Sequence, residues 1–107
     1  MTIREAQRAA WENAEAKGWH DEPRTFGDVI ALAHSELSEA LEAYRSNGLE
    51  TWRREDGKPE GVPFELADVV IRIMDWCGEN DVDLETFVKS KMDFNETRSH
   101  RHGGKRL

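Results

Sequence analysis

Between Glu65 and Trp76 the chain sets eight apolar residues (Leu66, Ala67, Val69, Val70, Ile71, Ile73, Met74 and Trp76) around only four polar ones. At about 100° per residue in a helix, Glu65, Asp68, Arg72 and Asp75 fall within an arc of about 80°. A surface helix of a globular domain carries a broad polar face, so this segment is expected to be buried on most sides. Its narrow stripe then faces either a strip of solvent or a polar cleft.

The flanking segments also read as helices. Ile3, Ala6, Ala10 and Ala14 recur at helical spacing with Trp11 widening the face, and Gly18-Trp19 has the form of a left-handed C-terminal cap. Thr25 with Asp28 resembles a capping box and opens a periodic run that Asn47-Gly48 stops. Pro63 suits a first helical turn, Gly78 reads as the stop of the third helix, and Asp83 as the cap of a fourth with Leu84, Phe87, Val88 and Met92 inward. The expected helices are about 3–17, 25–46, 63–77 and 83–98. The stretch from Asn47 to Val62, with Gly48, Gly57, Pro59 and Gly61, reads as a long loop without strand-like alternation, and long loops in compact domains are commonly functional.

A chain of 107 residues allows one domain, 1–107, and a modest core that self-association would support. Four tryptophans argue against disorder. The net charge of −7 repels a nucleic-acid backbone, which argues against a general nucleic-acid binder. That charge is uneven: Lys89 to Leu107 carries six basic residues against Asp93 and Glu96, so an acidic body bears a basic tail over 99–107. The longest apolar run, Val29 to Ala33, is far short of a membrane span and no signal-peptide stretch opens the chain, so a soluble, cytoplasmic protein is expected with no membrane partner. Cys77 is the sole cysteine, which excludes an intrachain disulfide and a cysteine-based zinc cluster.

The chemistry-bearing residues are acids at helical spacing. On the second helix Glu36 falls inside the apolar arc of Val29, Leu32, Ala33, Leu37, Ala40, Leu41 and Ala43, with Glu39 at its edge and Glu42 on the polar side. An inward carboxylate needs a cation, a hydrogen-bonded proton or a basic partner, for which Arg72 is a candidate. Glu36-x-x-Glu39 and Glu65-x-x-Asp68 are each i, i+3 pairs on one face, and antiparallel packing of their helices would bring four carboxylates together. Crowded carboxylates raise one another's pKa unless a cation compensates. All-oxygen donors without His or Cys favour magnesium, or manganese, over zinc, and magnesium leaves positions for water and substrate phosphates. A ferritin-like di-iron site would need Glu-x-x-His, which the sequence lacks. The His20-Asp21 dyad lacks the supporting pattern of a phosphohydrolase.

On the fourth helix Lys91, Asn95 and Arg98 share a face, and the chain continues through Arg101-His102-Gly103-Gly104-Lys105. Such a face can hold a polyphosphate, with Gly-Gly allowing close backbone approach. Trp19, His20 and His34 are candidates to stack on or hydrogen-bond a base, although a Trp after a helix cap is commonly a core residue.

The ordered pair Glu36-x-x-Glu39, 25 intervening residues, Glu65-x-x-Asp68 resembles the MazG-like all-α nucleoside triphosphate pyrophosphohydrolases. The stretches Lys17-Gly18-Trp19, His34 to Glu42, Lys58-Pro59-Glu60-Gly61 with Pro63, and Asn95-x-x-Arg98-x-x-Arg101-His102-Gly103-Gly104-Lys105 are similar to a small single-domain branch of that family. The resemblance implies a four-helix bundle-like protomer that forms a dimer or a dimer of dimers. It implies magnesium held by Glu36, Glu39, Glu65 and Asp68, and hydrolysis of a nucleoside triphosphate to the monophosphate and pyrophosphate. Glu39 is the expected orienter of the attacking water, and Lys91, Asn95, Arg98, Lys105 and Trp19 the expected substrate contacts. The alternatives are phosphoribosyl-ATP pyrophosphohydrolase, with the same chemistry, and a non-catalytic helical interaction module.

Overall fold

A computed structural model shows an all-α, four-helix bundle-like chain: α1 (Ile3–Ala16), α2 (Phe26–Asn47), α3 (Val62–Glu79) and α4 (Leu84–Thr97). The structure describes residues 1–98, so Arg101, His102, Gly103, Gly104 and Lys105 of the basic tail lie outside the described residues. A short antiparallel hairpin, β1 (Trp52–Arg53) with β2 (Pro59–Glu60), interrupts the stretch expected to be plain loop. Its register pairs Trp52 with Glu60 and Arg53 with Pro59. Two residues per strand are too few for alternation to show in sequence.

The helix ends follow local chemistry. Thr25 accepts from Asp28 N–H while the Asp28 carboxylate accepts from Thr25 N–H, both at 3.1 Å, which closes the expected capping box. Thr2 and Glu5 form the same reciprocal pair on α1. Past Ala16, Trp19 N–H donates to Ala14 O and Gly18 N–H to Glu15 O, with Gly18 at φ 77°, so the left-handed cap is present.

α3 does not stop at Gly78. It runs to Glu79, and Gly78 instead lets α1 approach, because a Cβ there would meet Trp11 Cβ at 2.8 Å. The helix ends where Asp81 turns left-handed at φ 55° and Val82 N–H donates to Cys77 O. Asp83 is the N-cap residue of α4, but its carboxylate makes no capping bond to the backbone. It is drawn to Arg4, 2.8 Å away, and to the Thr86 hydroxyl.

α3 is the central helix, packed by α1 on one side and α2 on the other. Among the described residues the buried apolar set is small: Ala14, Val29, Ala33, Ala40, Met74 and Cys77. Alanines at three of these positions allow close backbone approach but bury little area each. α4 meets the rest chiefly at its start, where Arg4 also pairs with Glu85 and Gln7 bridges Val82 O and Leu84 N–H. None of its residues is buried, and Phe87 and Met92, expected inward, are exposed. The radius of gyration, 16.5 Å, exceeds the roughly 13 Å of a compact chain this long, as expected for a projecting helix.

The expectation that α3 is covered on most sides fails in the single chain. Leu66, Val70, Ile71 and Ile73 are exposed, because α1 and α2 cover only the remaining arc. On α2, Ile30, Leu37, Leu41 and Tyr44 form a second exposed apolar stripe, about 70° around the helix from the stripe that packs on α3. No described helix is long and apolar enough to cross a membrane.

Candidate metal centre

The α2 stripe that buries Val29, Ala33 and Ala40 also carries Glu36, and the polar stripe of α3 faces it. Glu36 is indeed directed inward, its side chain 18% exposed, and Arg72 is its partner: Arg72 Nη2 donates to Glu36 Oε1 at 2.7 Å. One guanidinium thereby offsets the cost of a carboxylate between two helices. Arg72 Nε is buried without a hydrogen-bond partner, so the guanidinium is held for its reach to Glu36 rather than for full satisfaction.

Glu36, Glu65 and Asp68 each present a carboxylate oxygen within 4.8 Å of the other two. Burial raises the Glu65 pKa above its ordinary value, helped by the charges of Glu39, Asp68 and Glu36. Asp68 is raised by burial and by Glu36, while Lys58 and Arg72 pull it back. The result is a small all-oxygen pocket with more negative charge than its own cations neutralise. That donor set fits a hard divalent cation, magnesium or manganese, and the competition between carboxylates is what such an ion relieves.

Glu39 is not one of the three that meet. It is exposed at the edge of the stripe and its charge acts on Glu65, with which it lines a cavity of about 410 Å³ together with Lys58, Trp52 and Glu60. The hairpin brings Lys58 here, with Lys58 Nζ 3.6 Å from Glu60 Oε1. In sequence Lys58 has no individual role; its signals are its place in the resembling stretch Lys58-Pro59-Glu60-Gly61 and in a loop between two acid-bearing helices.

On the other side of the carboxylates lies a cavity of about 320 Å³ between Trp19 and Arg24 on one wall and Arg72 and Asp75 on the other, opening on Glu36 and Asp68. Trp19 is half exposed here rather than in the core. Asp75 continues the α3 stripe two turns beyond Asp68, and Arg24 enters from the α1–α2 connection, which no periodicity could place. His34 is exposed on the outer stripe of α2, away from the packing face.

The structure does not bring Lys91, Asn95 and Arg98 to the carboxylates. Among the described residues no α4 side chain lines either cavity that borders them. Lys91 and Arg98 instead flank the Phe94 ring, 5.4 Å and 5.8 Å from its centroid. Lys105 lies outside the described residues. Comparison of the chain with protein-family models, with curated proteins and with solved structures finds no match.

Proposed function

We propose that this chain is a magnesium-dependent nucleoside triphosphate pyrophosphohydrolase, taking a triphosphate and water to the monophosphate and pyrophosphate. The observation that carries the reading is the meeting of Glu36, Glu65 and Asp68 oxygens, with Glu65 and Asp68 pushed toward protonation, beside a groove long enough for a nucleoside. Along α3, Asp68 and Asp75 are seven residues, about 10 Å, apart, the scale of the distance from a nucleotide's phosphates to its base.

In this reading Glu36, Glu65 and Asp68 hold the metal, with Glu39 as a further ligand or as the orienter of the attacking water. A bound divalent ion supplies charge neutralisation of the phosphates and acidification of a bound water. Arg72 holds Glu36 aimed at the site, and Lys58 offers a cation to the phosphate chain from the hairpin. Trp19 provides a flat face for a base. Selectivity among bases belongs to the groove between Trp19 and Asp75.

We further propose that the working form is a homo-oligomer, a dimer or a dimer of dimers. The exposed stripes Ile30, Leu37, Leu41, Tyr44 on α2 and Leu66, Val70, Ile73 on α3 support it, because contiguous apolar faces of this kind mark association surfaces. A second copy is also what would carry Lys91, Asn95 and Arg98 toward a neighbouring carboxylate site. The test is pyrophosphate release from a panel of ribo- and deoxyribonucleoside triphosphates and phosphoribosyl-ATP, with and without magnesium, with Glu65→Gln as control. Release that needs magnesium and is lost in Glu65→Gln supports the reading; selective release from phosphoribosyl-ATP reassigns the substrate. Silence across the panel in a folded, oligomeric protein favours the interaction module.

A further inference from the structure

Outside the carboxylate site, the densest charge cluster among the described residues surrounds His20. This residue sits in the connection 17–25 with its side chain only 12% exposed. Nδ1 lies 2.6 Å from Glu15 Oε2 on α1 and 3.5 Å from Glu79 Oε2 on α3, while Nε2 lies 2.7 Å from Asp75 Oδ1 on α3. The Trp11 ring stacks over it at 5.7 Å between centroids and 23° between planes, and Trp11 Nε1 donates to Glu79 Oε1 at 3.2 Å. A neutral imidazole has one N–H and one lone pair, and a lone pair 2.6–2.7 Å from a carboxylate oxygen is repulsive. Between ionised carboxylates, contacts of this length at both nitrogens are met without repulsion by a ring that carries both protons.

The surroundings agree. Glu15 faces the ring from α1, Asp75 and Glu79 from α3, Asp21 is its chain neighbour, and Glu22, Arg24 and Arg72 line the same cavity, where α2 contributes only the uncharged Val29. Burial works against the charged ring, but the hydrogen bonds of Glu15 and Asp75 and the charges of Asp75 and Glu79 outweigh it, leaving the His20 pKa above its ordinary value. The consequence is mechanical. His20 joins the end of α1, the connection and α3 at a single ring, directly after Trp19 and directly against Asp75, the two walls of the groove that ends at Glu36 and Asp68.

We infer that His20, as an imidazolium, is a positioning residue: it clamps the 17–25 connection to α3 and thereby fixes Trp19 and Asp75 as the walls of the nucleotide groove. Its functional half rests on the triphosphate reading; the clamp itself does not. The pKa being raised, the clamp is complete below the ordinary imidazole value and is lost as pH rises through the folded-state value. Nucleotide affinity should fall over that window by about tenfold, the scale of one charge-assisted hydrogen bond.

The experiment follows three signals across pH in the full chain: the ring resonances of His20 against exposed His34, tryptophan emission, and binding of α,β-imido analogues of the deoxynucleoside triphosphates with magnesium. His20 should titrate above the ordinary imidazole value, and emission should rise as the imidazolium stacked on Trp11 loses its quenching proton, a change absent in Trp11→Phe. Binding should weaken with the same midpoint as His20. Glu15→Gln, a mild variant that keeps the ring, should lower both midpoints together, and His20→Gln should bind weakly with no pH step there. An ordinary His20 titration, or a binding midpoint that does not follow His20 in Glu15→Gln, overturns the positioning role. So does a zinc titration that displaces the Nδ1 proton at micromolar metal, which would make Glu15, His20 and Glu79 a metal site. A raised His20 pKa with no analogue bound at any pH overturns the triphosphate reading and the positioning role with it, while the clamp stands.

Discussion

Arg72→Met tests whether the α2–α3 interface is organised around a carboxylate that a metal must share with an arginine. The guanidinium lies 2.7 Å from Glu36, with Arg72 26% and Glu36 18% exposed. Removing one partner of a fully buried ion pair costs about 3–5 kcal/mol, because the remaining charge is left in low dielectric. Partial exposure of both groups lets water reach Glu36, so the expected cost here is roughly half, about 2 kcal/mol. For a chain of this length that corresponds to a fall in Tm of about 8–16 °C. Methionine retains the aliphatic stem and its packing, so the loss reports charge. The double variant Arg72→Met/Glu36→Gln should recover most of it, since neither member of the pair is left as an unpartnered charge. Magnesium supplies the decisive measurement: with Arg72 gone, Glu36 has no internal cation, so the magnesium-induced rise in Tm should be larger in Arg72→Met than in the parent. At a hundredfold excess over Kd, a bound ion stabilises by about 2.7 kcal/mol. Thermal unfolding at fixed protein concentration with graded magnesium reads both effects. If Arg72→Met costs under about 0.5 kcal/mol, or magnesium shifts neither protein, then Glu36 is an ordinary solvated acid and the reasoning fails.

Glu65 and Asp68 have folded-state pKa values above their ordinary ones, so the folded state binds protons more tightly than the unfolded; metal-free stability should be highest at mildly acid pH and fall as pH rises through those values, a slope that magnesium should flatten. Glu65→Gln should accordingly raise metal-free Tm at neutral pH while abolishing both the magnesium response and hydrolysis, readable in one thermal-shift and activity series. Lys58→Ala should raise KM by about tenfold or more with kcat less affected, through one lost charge-assisted contact to phosphate. Lys91→Ala should do so only in the oligomer, so steady-state kinetics at concentrations bracketing dissociation separate the two. Leu41→Glu with Val70→Glu should yield monomers by analytical ultracentrifugation, and an unchanged oligomer would remove these faces from the interface. Gly78→Ala should destabilise by about 1–3 kcal/mol despite the better helix propensity of alanine, because the added Cβ meets Trp11 at 2.8 Å.

What the sequence made legible was whatever repeats along one helix. The Thr25–Asp28 box, the Gly18-Trp19 cap and the inward direction of Glu36 are all local patterns, and each is found in the structure. Gly78 was misread for a physical reason: a helix-interior glycine that admits a neighbouring indole and a C-terminal glycine look alike in sequence. Arg4 likewise competes with the backbone for Asp83 from another helix, which periodicity on α4 alone does not contain. Lys58 and Arg24 reach the candidate site through the hairpin and the α1–α2 connection, and those placements belong to tertiary structure, whereas Asp75 follows from the α3 stripe.

The proposed association would account at once for the exposed face of α3 and for the distance of α4 from the carboxylates. The sequence of α3 is apolar on nearly all sides because it is written for burial, yet α1 and α2 cover only part of it. Leaving Leu66, Val70 and Ile73 in water forgoes about 1.5–3 kcal/mol for each side chain that could be fully buried, a loss a small domain with six buried apolar residues among those described can ill sustain. Lys91 and Arg98 are exposed toward the end of α4, beside Phe94 and away from the carboxylates of α2 and α3. Apolar stripes on α2 and α3 and a projecting helix that bears Lys91 and Arg98 toward its end are therefore expected to be completed together: association that covers Leu37, Leu41 and Val70 should also raise the affinity for triphosphate. Dilution below the dissociation constant should then weaken substrate binding in step with loss of the oligomer, and a monomer that binds triphosphate as tightly as the assembly would show the two features to be independent.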